Sequence, residues 1–330
     1  MSKLESCFKN QIPVFLAPMA GVTDAPFRKI VAKFGVTAVV SEMVSSEALT
    51  RNSQKTFQRL AINDGNILNS MQILGDDPGR MAESAAINEQ LGADVVDINM
   101  GCPVRKIVSN NTGSALMKDE LLAEKIVRRV VDAVKIPVTV KMRLGWDNEN
   151  INFLSLAQRC EAAGARMIAV HCRTKSQMYS GTADWQKISA LRGCLKIPYL
   201  CNGDIKSLAD AKKALEMSRA SGIMIGRGAL GRPWLPNQIV NGLNGKTIPE
   251  EPIIEQQLDI IMKHFDLTCE FYGIEHGMRM FRKHFCWYSA GLSGASKFRE
   301  TINHSDNISF IKQYVQDFYK NHFKDILEEQ

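Results

Sequence analysis

Along its first 245 residues the chain repeats one phrase: a short apolar or β-branched run, a polar or glycine-containing turn, and a stretch with apolar residues at helical spacing. The runs fall at residues 12–17, 38–41, 68–74, 95–100, 138–142, 167–171, 197–201 and 222–225, with helical patterns at 24–34, 78–91, 114–134, 153–163 and 207–217. Strands that alternate with helices build βαβ units around a parallel sheet. Eight such runs in this length predict a (β/α)8 TIM barrel, with a doubly wound sheet as the competing arrangement. After residue 245 the pattern changes. Residues 246–330 hold 13 of the 24 aromatic residues, and Ile254, Leu258, Ile261 and Phe265 recur at helical spacing. The expectation is a barrel domain over 1–245 and a smaller C-terminal all-helical domain over 246–330. The glycine- and proline-containing stretch 241–252 is the linker between them.

A barrel of this kind carries its functional groups at the C-terminal ends of its strands. In this chain those ends read Pro18-Met19-Ala20, Glu42, Gln72, Asn99 with Cys102, Lys141 with Arg143, His171 with Arg173, Asn202-Gly203-Asp204 and Gly226-Arg227. A single polar residue at a strand end is usually a loop contact, but here the series continues around the whole barrel. Lys141 alternates with Val138 and Val140 and so shares the inward parity of its strand with Thr139. A buried ammonium needs a partner, so Lys141 is either a cation held for a bound ligand or a side chain that snorkels to water.

Asn202-Gly203-Asp204 and Gly226-Arg227-Gly228 close the seventh and eighth strands, where barrels hold phosphate groups. Gly226, Gly228 and Gly231 also spell a dinucleotide fingerprint, but that motif opens a first βαβ unit, and here it follows the eighth strand and runs into Pro233. Cys102 stands between Gly101 and Pro103 in the loop after the fourth strand. An ordinary thiol is protonated at neutral pH and can act as a general acid; a nucleophilic dyad with His171 is the alternative.

Composition narrows the class. The 330 residues are 45% hydrophobic and 23% charged, as in a globular protein, and no apolar run is long enough to span a bilayer. The first ten residues have no signal-peptide character, so a soluble, cytoplasmic protein is expected. The eight cysteines form no CxxC pair, which argues for free thiols and against a metal site. The net charge of +6 permits an anionic partner. It is unevenly spread: residues 1–245 carry +9 and the tail −3, and within the tail 277–324 carries +5. Arg279, Arg282 and Lys283 share one helical face by spacing.

Taken together, Pro18 to Asp24, Asn99 to Pro103, Lys141-Met142-Arg143, His171 to Gly181, Asn202 to Ile205 and Arg282-Lys283-His284 with Trp287-Tyr288 resemble the tRNA-dihydrouridine synthases, most closely their bacterial B type. The resemblance spans nearly the whole chain in the right order. It implies an FMN cofactor reduced by NADPH, hydride delivery to C6 of a uridine in the tRNA D-loop, and protonation of C5 by Cys102. It further implies that Pro18, Met19 and Ala20 line the flavin ring, that Gln72, Lys141 and His171 contact it, and that Asn202, Gly203, Asp204, Gly226 and Arg227 hold its phosphate. Asn99 and Arg173 become candidates to hold the uracil, and Arg279, Arg282 and Lys283 to track the tRNA backbone. A monomer, no metal and no membrane contact are expected, with position 17 as the target uridine.

Cys172 departs from the usual glycine of that family and is expected to point toward the helices. The polar loop 110–113 after Cys102 is either ordered by the tRNA or a helix cap. Two other functions stay open at this level: a flavin barrel acting on a free small molecule, and an RNA-binding or regulatory protein without turnover.

Overall fold

The computed structural model describes residues 1–50 and 67–328. Eight strands form the barrel: β1 (Val14–Leu16), β2 (Ala38–Val40), β3 (Leu68–Leu74), β4 (Val95–Met100), β5 (Val138–Arg143), β6 (Met167–His171), β7 (Tyr199–Asn202) and β8 (Gly222–Ile225). Each pairs in parallel with its sequence neighbour, and β8 pairs with β1, so the sheet is closed. A two-residue strand, Val44–Ser45, runs beside the end of β3. Closure excludes the doubly wound sheet.

Strand alternation sorts the apolar residues into two cores. Val96, Ile98, Val140, Ile168, Val170, Ile223 and Ile225 face the surrounding helices. Phe15, Ala38, Leu68, Val95, Met167, Leu200 and Met224 fill the barrel interior, and Leu4 and Cys7 of the short helix Lys3–Cys7 join that cluster. The inward rows change character along the strands. Leu68 and Val95 are followed on the same faces by Gln72, Asp97 and Asn99, and Thr139 by Lys141 and Arg143. Because partners in parallel strands share a face, the pairs Asn99 with Lys141, Arg143 with His171 and His171 with Asn202 gather the polar ends at one mouth.

The single helix expected over 114–134 is two elements, a 3-10 turn Gly113–Lys118 and the helix Glu120–Ala133. Asp119 separates them because its carboxylate accepts from the N–H of Leu122 at 2.9 Å and so starts a new helix.

Residues 246–253 carry no helix or strand. Beyond them Ile254–Tyr272, Ile274–Tyr288, Ala295–His304 and Ile308–Glu328 pack around a separate core that includes Phe265, Phe281, Phe285, Phe298 and Val315. The close crossing of the first two depends on Gly277, where a Cβ would stand 2.6 Å from the Cα of Cys269. Among the described residues no helix is long and apolar enough to cross a membrane.

The helical region meets the barrel through rings. Phe27 packs against His264 and His284 with centroids 5.4 and 5.6 Å away, and the two imidazoles lie 4.5 Å apart. His264 Nδ1 pairs with the Tyr288 hydroxyl at 3.1 Å. Burial, with added repulsion from Lys283, holds His264 down to about 3. His284 is held well below 6.5 by burial and then by its neighbours His264 and Lys283.

Both histidines are therefore neutral in the fold and take up protons on unfolding. Their contribution to stability is complete above 6.5 and declines as the pH falls below that value, by up to about 1.4 kcal/mol per pH unit for each. Urea unfolding between pH 7.5 and 5 will show this decline, and His284→Gln will flatten it; a pH-independent midpoint contradicts the neutral pair.

Candidate functional site

A cavity of about 400 Å³ opens at the C-terminal end of the barrel. Its lining includes Pro18, Met19, Ala20, Gln72, Asn99, Cys102, Lys141, His171, Asn202, Gly203, Asp204, Gly226 and Arg227. Among the further lining residues, to which the sequence had assigned no contact, are Arg143, Met43, Tyr179 and, from the helical region, Trp287. Arg143 had a signal, since it shares the parity of Lys141. Tyr179 and Trp287 lie in segments that carry the family resemblance, but nothing in their spacing pointed them at the cavity.

The Cys102 loop hangs from the end of β4. Asn99 Oδ1 accepts from the N–H groups of Gly101 at 3.1 Å and Cys102 at 2.9 Å, and Asn99 Nδ2 donates to Gln72 Oε1 at 2.7 Å. The Cys102 carbonyl accepts from the Ser114 N–H at 3.1 Å and hydroxyl at 2.9 Å. Gly113, at φ +62°, lies so close beneath that a Cβ would stand 2.9 Å from that carbonyl. The loop 110–113 thus buttresses the cysteine. Burial pushes the thiol above its ordinary 9.0, against the downward pull of the Val104 backbone and of Arg143 and Lys141. Cys102 therefore holds its proton at neutral pH, which favours the acid over the nucleophile.

Cations surround the opposite wall. Burial, with repulsion from Arg143, draws Lys141 down to about 8, and its ammonium has no hydrogen-bond partner among the described residues. Arg143 donates to the carbonyls of Gly101, Thr174 and Met178, each at 2.8 Å, which fixes the loop after β6 over the cavity. Burial, followed by the positive charge of Arg143, Lys141, Arg173 and Arg227, holds His171 well below 6.5, so the imidazole is neutral. A His171–Cys102 ion pair is not what this field supports.

At the ends of β7 and β8 the backbone itself is presented. Gly203 has φ +123°, and a Cβ there would meet the His171 ring at 3.0 Å, so only glycine fits. The N–H groups of Gly203, Asp204, Arg227 and Gly228 have no acceptor among the described residues. Asp204 accepts from Arg173 at 2.6 Å and from the Ala183 N–H at 2.8 Å; burial opposes ionisation of its carboxyl, but these donors outweigh it and lower its pKa. Half-exposed Arg227 lies 3.7 Å from Asp204 and stacks over Tyr179 with 4.8 Å to the centroid.

Several expected contacts take other roles. Arg173 is 1% exposed and outside the cavity lining, because its guanidinium is spent on the carbonyls of Ser180 and Gly181 and on Asp204. Asn99 lines the cavity, but its amide is occupied as described.

Arg279, Arg282 and Lys283 do not form one basic face. Arg279 is exposed. Arg282 bonds Ser305 and Asp306 at 2.9 and 2.8 Å. Lys283 turns inward to the Gly21 carbonyl, near Asp24 and Glu42. Helical spacing could not distinguish the side packed on the barrel from the side facing water. The Lys324 side chain lies outside the described residues. In the loops beyond the strand ends, outside the cavity lining, the ammonium groups of Lys118 and Lys175 lie 4.0 and 4.3 Å from the ring centre of Trp146. Cys172 lies in the layer between sheet and helices, 3.7 Å from Cys201, as its parity predicted.

The sequence matches the family described as "Dihydrouridine synthase" over residues 15–323. It is 45% identical to the "Probable tRNA-dihydrouridine synthase" of Rickettsia bellii over 307 residues, 93% of this chain and 94% of the relative. It is 44% identical to the "tRNA-dihydrouridine synthase B" of Pseudomonas aeruginosa over 291 residues, 88% of this chain and 87% of the relative. Among solved structures, a 2-naphthoyl-CoA reductase complex aligns with 94% of this chain and 67% of its own, at a TM-score of 0.57 and 12% identity. A histamine dehydrogenase from Rhizobium sp. 4-9 aligns with 94% and 62% at the same TM-score and identity. These two are likenesses of fold.

The state of Cys102 is directly testable. Its alkylation by iodoacetamide, followed by mass spectrometry to separate it from exposed Cys194, will rise with a midpoint above pH 9.0. A midpoint near neutrality contradicts the protonated thiol.

Proposed function

The chain belongs to the dihydrouridine synthase family, and we propose that it reduces uridines in the D-loop of tRNA to 5,6-dihydrouridine, with FMN as cofactor and NADPH as reductant. The observation that carries the reading is the cavity's two-sided chemistry: a thiol that keeps its proton and an ammonium without a protein partner line the same space.

The residues fit FMN on three counts. Gly203 leaves a cradle that a Cβ would fill, and unpaired N–H groups at the ends of β7 and β8, with Arg227, suit a phosphate. Lys141 offers the positive charge that an electron-rich flavin requires. Pro18, Met19 and Ala20 provide an apolar wall, with Gln72 and neutral His171 as polar contacts. Asn202, whose Nδ2 donates to the Met224 carbonyl at 2.7 Å, ties β7 to β8 beneath the phosphate grip. When bound and reduced by NADPH, the flavin supplies the hydride that C6 of a uracil accepts.

The protein's own part is to hold the base, exclude water and deliver a proton. Hydride addition at C6 leaves negative charge toward C5, and Cys102 answers it as general acid. Exposed Tyr179 is the lining group left to meet the base, since Arg143 and Arg173 are both buried in contacts with loop carbonyls. Drawing a stacked uridine out of folded tRNA costs a few kcal/mol, which backbone contacts must offset. The pair Lys118 and Lys175 against Trp146, rather than a face built from Arg279, Arg282 and Lys283, suits that task. The division at residue 245 then separates a catalytic barrel from a helical region that assists in holding the tRNA.

Cys102→Ala tests the assignment. The variant will bind FMN and oxidise NADPH like the wild type, while dihydrouridine formation falls by about 10²–10⁴-fold, the range for loss of a positioned acid. Undiminished formation removes Cys102 from the reaction.

A further inference from the structure

Asp97 is an anomaly that the chemistry above does not use. It sits in the middle of β4, is 1% exposed, and does not line the cavity. A buried carboxylate is costly, and burial does push this one up against the help of Thr139, Gln72 and Lys141. Its contacts run in one direction. Asp97 Oδ1 accepts from the Thr139 hydroxyl and Oδ2 from Gln72 Nε2, both at 2.6 Å. Gln72 Oε1 then accepts from Asn99 Nδ2 at 2.7 Å, and Asn99 Oδ1 accepts from the backbone of Gly101 and Cys102 at 3.1 and 2.9 Å.

The chemical identity of the anchor dictates the rest. An ionised carboxylate has no proton to give, so it admits only the NH₂ end of Gln72. That leaves the Gln72 oxygen to face Asn99, which admits only the NH₂ end of Asn99. The Asn99 oxygen is thereby turned to the two loop N–H groups. Each amide has two orientations of similar shape; the carboxylate selects one from its end and the donor-only loop N–H groups select the same one from the other, so the chain is held at both ends.

We propose that Asp97 is a positioning residue: through the ordered amides of Gln72 and Asn99 it fixes the loop that carries Cys102, so that the cavity contact at Gln72 and the acid are set by one buried charge. The proposal rests on the reading of Cys102 as the acid, but its test does not depend on turnover.

Asp97→Asn keeps the shape and removes the constraint at its own end, because an asparagine can meet either end of Gln72. Hydrogen exchange of the peptide spanning residues 99–104 will then run about tenfold faster, the loss of roughly one net hydrogen bond. Moving the acceptor-only end distinguishes orientation from general loosening. In Asp97→Asn combined with Asn99→Asp, the new carboxylate accepts from the loop and from Gln72 Nε2, while Gln72 Oε1 accepts from the new amide at 97. Every group is again paired with the chain reversed, and loop protection will return to the wild-type level.

Wild-type exchange in Asp97→Asn overturns the proposal, as does fast exchange that the double variant fails to restore. If Asp97→Asn does not fold, the double variant decides alone: wild-type protection supports the proposal, and anything less overturns it. Loss of the Cys102 role in turnover would leave these exchange results standing, so the two failures are separable.

Discussion

Lys141, Arg143, Arg173 and Arg227 converge on one end of a parallel barrel, around a histidine that their charge keeps neutral. Protein groups satisfy two of the four. Arg143 is spent on three loop carbonyls and Arg173 on two carbonyls and Asp204, while Lys141 has no hydrogen-bond partner among the described residues and Arg227 is half exposed. A buried cation without a partner is unfavourable unless something anionic completes it. The cavity thus offers positive charge at two places, Lys141 and Arg227, that an anionic ligand would complete. The same field leaves Cys102 protonated because burial outweighs the cations around it. The acid and the cation follow from one electrostatic balance.

The helical region belongs to this balance and is more than an appendage. Trp287 reaches the cavity, and Lys283 is inserted under the loop that carries Pro18, Met19 and Ala20, where Glu42 also accepts from the Gly21 N–H. The neutral histidine pair against Phe27 holds the two parts together in the adjacent layer. One wall of the cavity is therefore set by residues more than 260 positions away in sequence.

Most of the barrel was legible because apolar parity and strand length are local properties. The strand-end residues that line the cavity were legible for the same reason: Cys102, Lys141, Gly203 and Gly226 stand out against apolar runs. What escaped was non-local. Asp97 sits where a strand reading expects only packing, and nothing in its neighbours announces Thr139 and Gln72 as partners. Arg173 and Lys283 were legible as cations but not as cations already used, since their partners lie in a loop closure and across the boundary between barrel and helices. The break at Asp119 shows the converse, a local cap overriding an apolar period that runs through it.

The most direct test of the account is a single-turnover experiment. Protein loaded with FMN and reduced by one equivalent of NADPH without oxygen is mixed with tRNA lacking dihydrouridine, and the flavin absorbance and the modified base are followed together. The account predicts recovery of the oxidised flavin spectrum with one dihydrouridine formed per flavin, and no comparable recovery with free uridine. Absence of reoxidation by tRNA, or equal reoxidation by free uridine, would contradict it.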